Sequence, residues 1–323
     1  MKTIICTKYG APEVLQLEEI AKPEPRGKEV LVKIHATSVS SGDARIRRAD
    51  PAIIRLFFGL MKPKTSVLGY VLAGEIEAIG KDVTRFKVGD EIYATTGMAM
   101  GAYAEYIVLP EDGVIAPKPA KMPYEEAAAV PFGGNTALYF LRKANIQSGQ
   151  NILIYGASGA IGTAAVQLAK HFGAHVTAVC SGANSALMKT VGADEVVDYT
   201  KEDFTKNGKT YDVIFETVGK SSFTAGMKSL TENGTYIMAA AGLKEMRQGL
   251  CTSFMSRRKV FSGVMSETAE DLVFFKELIE SGKFRPVIDR SYPLEQIAQA
   301  HAYVDTGHKR GNVVITVGHD DIA

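Results

Sequence analysis

Residues 151–162 constrain the fold of this chain more than any other stretch: Asn151 to Tyr155 are followed by Gly156, Ala157, Ser158, Gly159, Ala160, Ile161 and Gly162. The first five form a short, branched, apolar run of the kind that makes a buried strand. Beyond the glycines, Ile161, Ala165, Leu168 and Phe172 recur at helical spacing. A glycine-rich turn therefore joins a strand to a helix. In such a turn the missing side chains let the backbone approach a pyrophosphate, while the first amides of the helix and its positive end face the anion. The spacing is GxxGxxG rather than GxGxxG, so a tight packing turn competes with a dinucleotide site and the surrounding sequence has to decide.

The surroundings favour the dinucleotide site. A second branched run, His175 to Cys180, follows the helix, and Glu195 to Tyr199 follows a further short helical segment. Tyr211 to Phe215 and Thr235 to Ala239 are then separated by a stretch with Phe223, Met227 and Leu230 on one face. Strands alternating with helices in this way predict an α/β fold with a Rossmann-type, doubly wound parallel sheet.

At 323 residues the chain is long for one core, which predicts two domains. A formal charge of +1 gives no reason to expect nucleic acid or an anionic membrane as the main partner. Cys6, Cys180 and Cys251 are scattered and include no CxxC, which excludes a disulfide framework and fits a reducing compartment. The first residues run into charged, proline-containing sequence rather than a long apolar core, so the expected location is the cytoplasm.

Residues 1–123 read as β-rich, with alternating runs at Glu29 to His35, Leu72 to Ile79 and Ala102 to Val108. A helix is expected through 124–144, interrupted at Pro131, Gly133 and Gly134, and it leads into a nucleotide domain spanning 124–266. Lys259 to Val264 reads as its sixth strand. The later elements, a helix at Ala269 to Ser281, another at Leu294 to Val304 and a strand at Asn312 to Val317, follow a complete six-strand set. Residues 267–323 should therefore return to the first domain.

This order of a β-rich barrel, a nucleotide domain and a returning C-terminal segment resembles the zinc-independent branch of the medium-chain dehydrogenase/reductase superfamily, the quinone oxidoreductase and enone reductase group. Ala73 to Gly80, Phe86 to Ile92, Gly101 to Tyr106, Glu126 to Pro131, Gly192 to Asp194 and Gly307 to Val314 carry the resemblance, almost end to end. It implies a GroES-like fold for the first domain. It also implies a nicotinamide cofactor, with Thr136 approaching the nicotinamide ring and Gly219 and the turn from Ala240 to Gly242 along the cofactor edge. Asn312 stands where relatives often carry a lysine that meets the cofactor. Homodimerisation through nucleotide-domain edge strands would make Val260 to Val264 a seam.

Folds of this type that prefer NAD place a carboxylate about 20 residues after the glycines, on the ribose 2′-hydroxyl. Here that position falls on Cys180 to Asn184, which has none. Ser181 and Asn184 can hydrogen-bond a 2′-phosphate, so NADPH is expected over NADH, with Lys189 the nearest cation and Tyr199 beside the adenosine end. An ordinary polar turn is the alternative for Ser181 and Asn184.

Zinc is not expected. The zinc-dependent relatives carry a cysteine where this chain has Ser40, a histidine and glutamate where it has Tyr70 and Val71, and another cysteine near Phe132. Without a Lewis acid, oxidation of a simple alcohol lacks a means to stabilise its alkoxide. Hydride transfer to a quinone or an α,β-unsaturated carbonyl needs only a flat acceptor and donors for the developing oxyanion. Candidate donors are Ser40, then Arg45, then Tyr70, with Asp43 orienting Arg47 or backbone groups. Ile53 to Met61 is too apolar for an ordinary exposed loop; it either walls an apolar substrate pocket or covers the barrel or a subunit contact. The competing functions are a zinc-free alcohol or aldehyde dehydrogenase and a non-catalytic NADPH-binding sensor.

Overall fold

A computed structural model describes residues 1–240 and 257–319. The chain divides into two compact units, one of Met1–Phe132, Thr268–Ser281 and Pro286–Ala323, the other of Gly133–Glu267 and Gly282–Arg285.

In the second unit six strands form one parallel sheet, in the spatial order Glu195–Asp198, His175–Cys180, Asn151–Tyr155, Tyr211–Glu216, Leu230–Met238, Lys259–Ser262. Successive strands step one way from Asn151–Tyr155 and then the other way from Tyr211–Glu216. This reversal is the switch point at which such sheets open a crevice beyond the strand ends. Ile152, Leu153 and Ile154 are all fully buried, which explains why this strand reads as a continuous apolar run rather than as alternation. Helix Ala160–His171 buries Ala164, Ala165, Leu168 and Ala169, and Gly173, at φ 82°, lets the chain leave it.

The first unit is organised by the long strand Glu29–Val39. Along one edge its beginning pairs with Tyr106–Pro110 and its end with Asn312–Thr316; along the other it pairs with Val71–Ile79. Two register shifts against Val71–Ile79 bend the strand and roll the sheet. Glu91–Thr95 and Ile115–Pro117 continue one side, and Ile288–Pro293 lies parallel beyond Asn312–Thr316 on the other. Val32, Ile34, Leu72, Ile76, Ile92 and Ile315 fill its core.

Two local expectations need correcting, and one element is new. The stretch 124–144 breaks before Pro131 as expected, into Tyr124–Ala128 and Pro131–Lys143, since proline suits a first helical position where no amide is needed, but Gly133 and Gly134 do not interrupt the second helix. The strand expected at Ala102 to Val108 is Tyr106–Pro110; before it, Gly101 at φ 107° turns the chain and Tyr103 is swallowed by the core. Lys2–Cys6 and Leu15–Glu19 pair antiparallel as a small separate sheet that the sequence did not announce.

Candidate functional site

The glycine turn is held from below. The amides of Gly156 and Ala157 both donate to the carbonyl of Val179 on the neighbouring strand, at 3.1 Å each. Gly156 has φ 78°, and a Cβ there would fall 2.6 Å from Thr217 Oγ1. A Cβ on Gly162 would fall 2.4 Å from the Gly156 carbonyl oxygen. These two glycines are required by the protein itself. Gly159 is different: its backbone is extended, and among the described residues a Cβ would meet nothing closer than the Gly156 oxygen at 3.6 Å. The space above it is open. Helix Ala160–His171 has no side-chain cap and no acid in its first turn, so its positive end faces that space. An open cradle beside an uncapped helix start fits the pyrophosphate of a dinucleotide.

The adjoining loop is organised by a residue the sequence reading passed over. Glu216 ends its strand almost wholly buried, and its carboxylate accepts the amides of Val218, Gly219 and Lys220 at 3.2, 2.6 and 3.2 Å. Burial pushes its acid upward, against those amides. Thr217 Oγ1 donates to the carbonyls of Tyr155 and Gly156, tying this loop to the glycine turn. Gly219, at φ 72°, lies against the Ala240 carbonyl, 2.9 Å from where a Cβ would be. Gly242 lies outside the described residues. A carboxylate closing an apolar strand just before Thr217, Val218 and Gly219 was the available signal.

Gly133 brings helix Pro131–Lys143 onto the start of the glycine-turn helix: its Cβ would fall 2.5 Å from the Ala160 carbonyl. Thr136 sits on this helix, buried, with its hydroxyl 3.0 Å from Met265 Sδ. Asn135 beside it donates to Glu267 at 3.2 Å, and its buried Oδ1 has no hydrogen-bond partner among the described residues.

At the end of His175–Cys180, Asn184 donates to Ser181 Oγ at 3.2 Å. No carboxylate belongs to this turn, but Asp198 from the next strand lies beneath it, with Oδ2 only 2.4 Å from where a Gly182 Cβ would be. Asp198 is held below the usual carboxylate range by Thr200, whose hydroxyl and amide it accepts at 2.7 and 3.1 Å, and by the Gly182 amide. Tyr199 stands half-exposed, its ring 6.5 Å from that of Tyr155. Lys189 is turned away from Ser181 and donates to the Asp194 carbonyl.

In the first unit, Ser40 caps helix Ser41–Arg48. Its Oγ accepts the Asp43 amide at 3.1 Å and donates to Asp43 Oδ2 at 2.6 Å, and its own amide donates to the same oxygen at 2.8 Å. Asp43 therefore orients the Ser40 backbone and hydroxyl. Gly42 gathers Ser40 and Phe132, whose Oγ and Cε2 lie 3.2 and 3.4 Å from where its Cβ would be, and the Tyr70 ring meets Phe132 edge-on at 6.1 Å. A hydroxyl, a phenyl and a phenol thus meet at one place. Among the described residues no three His, Cys, Asp or Glu side chains are grouped to hold a metal ion. Arg45 lies half-buried one turn along the helix. Asn312 is buried, its amide and side chain both donating to the Val287 carbonyl, at 2.8 and 3.0 Å.

Behind the cap lies a buried polar cluster. Arg47, fully buried, pairs with Asp305, and His301 Nε2 is 3.2 Å from the Tyr103 hydroxyl. Burial raises the Asp43 acid from 3.8 to about 6, against its hydrogen bonds from Ser40. Burial, helped by Arg47 and Arg48, lowers His301 to about 3. The two have opposite linkage. Asp43, raised on folding, contributes stability below pH 4 that is lost as pH rises through 6. His301, depressed on folding, contributes stability above about pH 6.5 that is lost as pH falls toward 3. Between about pH 4 and 6 they oppose one another. Asp43→Asn keeps an acceptor for both Ser40 donors and removes one of the two. The unfolding free energy from urea titrations between pH 7 and 4 should then fall more steeply than in the parent, by up to about 1.4 kcal/mol per pH unit. Parallel profiles would refute the assignment.

Residues 26–120 match the model of the alcohol dehydrogenase GroES-like domain, and residues 191–315 that of the zinc-binding dehydrogenases. A 2-methylene-furan-3-one reductase of Solanum lycopersicum is 33% identical over 98% of this chain and 79% of its own length. An NADPH-dependent alkenal/one oxidoreductase of Arabidopsis thaliana is 30% identical over the same shares. The solved quinone oxidoreductase of Coxiella burnetii superposes with a TM-score of 0.90 at 30% identity, covering 98% of this chain and 99% of its own. The two sheets, the glycine turn and these matches agree: the chain belongs to the medium-chain dehydrogenase/reductase superfamily, among its NAD(P)H-dependent oxidoreductases of the quinone and enone reductase type.

Proposed function

We propose that this protein reduces an apolar quinone or α,β-unsaturated carbonyl with NADPH and without zinc. The observation that carries this is the meeting of Ser40, Phe132 and Tyr70 around Gly42, a set that is aromatic and hydroxylic where a zinc-dependent relative needs thiolate and imidazole. Bound NADPH would supply a hydride to an electron-poor carbon. The uncapped helix start at Ala160 and the open face of Gly159 hold the pyrophosphate, and Ser181 with Asn184 meets the 2′-phosphate. Tyr70 and Arg45 offer donors to the acceptor's carbonyl oxygen. Ser40, with its proton directed at Asp43 Oδ2, sets the geometry of that loop as well as lining it. Lys259–Ser262 forms the margin of the parallel sheet and is the edge on which a second copy would pair.

The test is cofactor oxidation by EDTA-treated protein with benzoquinone, phenanthrenequinone, an alkyl enone, nonenal and benzaldehyde. Turnover with NADPH that survives chelation and is confined to quinones or enones supports the reading; loss on chelation overturns it. Steady oxidation of simple alcohols would point to an alcohol dehydrogenase, and tight NADPH binding with no turnover to a sensor. Ser181→Asp places a charge against the 2′-phosphate and should lower the NADPH-to-NADH ratio of kcat/KM at least about tenfold. An unchanged ratio would remove Ser181 from the site.

A further inference from the structure

The near-neutral charge of the whole chain conceals a local imbalance. Between Asp50 and Glu75 there is no acidic residue, while Arg55, Lys62 and Lys64 are exposed. Within this stretch the short helix Ile54–Phe58 is apolar on two sides. Ile54 and Phe58 pack on the core of their unit. The other side and the turn that follows stand in solvent, with Leu56 63%, Phe57 60%, Leu60 67% and Met61 91% exposed. Single exposed apolar side chains are ordinary, but four within six residues form a contiguous patch that calls for a partner.

The patch is displayed by a held loop. Gly59 has φ 123°, and a Cβ there would fall 2.1 Å from the Lys62 carbonyl oxygen. The Lys64 amide donates to the Phe58 carbonyl at 2.7 Å and the Tyr9 hydroxyl to the Gly59 carbonyl at 2.6 Å, while the Arg55 guanidinium lies 5.3 Å over the Tyr9 ring.

We propose that residues 53–64 seat this protein on an anionic lipid surface, with Leu56, Phe57, Leu60 and Met61 entering the headgroup and acyl boundary and Arg55, Lys62 and Lys64 meeting lipid phosphates. The charge chooses the occupant. A second copy docking through the same patch would bring three cations against three cations, whereas an anionic bilayer complements both the charge and the apolar side chains. A formal charge of +1 speaks against a membrane only at long range; a surface within a Debye length meets the local sign.

The test is co-sedimentation of the full chain with vesicles of phosphatidylcholine alone and of about seven parts phosphatidylcholine to three parts phosphatidylglycerol, at low and high NaCl. Vesicles without any quinone keep the result independent of the catalytic reading. Partitioning should be about tenfold or more higher on the anionic vesicles at low salt, and should collapse at high salt. Lys62→Glu with Lys64→Glu should abolish the anionic preference. Leu56→Ser, Phe57→Ser and Met61→Ser together should remove most binding, each variant first shown by its thermal melt to be folded. Absence of binding to either vesicle overturns the proposal, as does binding that both variants retain. So does a doubled mass in sedimentation velocity that the triple variant abolishes, since the patch would then be a contact between copies.

Discussion

Gly159→Ala should leave the fold standing and weaken NADPH binding at least about tenfold, whereas Gly162→Ala should disrupt the unit that carries it. The two glycines lie in one turn and differ only in what surrounds them. A methyl on Gly159 points into open space, from a backbone conformation that any residue adopts. Its structural cost is that of a poorer helix cap, about 1 kcal/mol or less. Its functional cost is the close approach of a pyrophosphate to the chain. A methyl on Gly162 would sit 2.4 Å from the Gly156 oxygen and 2.6 Å from the Ala157 carbonyl carbon. Backbone would have to move, at about 3 kcal/mol or more. Thermal melts and NADPH titration by fluorescence, run side by side, separate the two effects. A Gly159→Ala protein that binds NADPH normally would remove the cofactor from this turn.

The second large effect is expected at the buried cluster behind the Ser40 cap. Asp305→Ala should destabilise the first unit by about 3 kcal/mol, because it strands the charge of a fully buried Arg47. Arg47→Met in the same background should restore most of that loss, since an apolar side chain of similar length asks for no counter-charge. Arg48, which meets Asp305 from the solvent side, should matter by about 0.5 kcal/mol at most when replaced by alanine. Urea unfolding of the two single variants and the double variant closes the cycle. If Asp305→Ala is neutral, Arg47 does not depend on this pair.

The legible parts of this molecule are those in which one physical demand dominates. Ile152 to Ile154 read as a buried strand and the glycines after them as a turn into a helix, so the nucleotide sheet was readable in order, while which glycines are crowded by the protein itself was not. Expectations failed where two demands competed locally. Gly133 and Gly134 read as helix breakers and lie inside a helix; Tyr103 reads as part of a strand and is instead a core residue beside His301. Glu216 was passed over because a carboxylate at a strand end ordinarily signals solvent. Its amide partners come from residues just beyond it, and only the folded turn brings them together. The capping role of Ser40 was within reach, since Ser40 and Asp43 have the spacing of a capping box, but the resemblance drew attention to metal ligands instead.

The long strand Glu29–Val39 also dictates an order of assembly. Along one edge its last residues find their partners at Val313 to Thr316, far along the chain, whereas nearly all of the nucleotide unit comes from a continuous run of chain. That run can close on its own while the first unit still waits with one open edge from Ala36 to Val39. The unit with the more distant pairing is thus the slower to close, and until it does that edge is open to wrong partners.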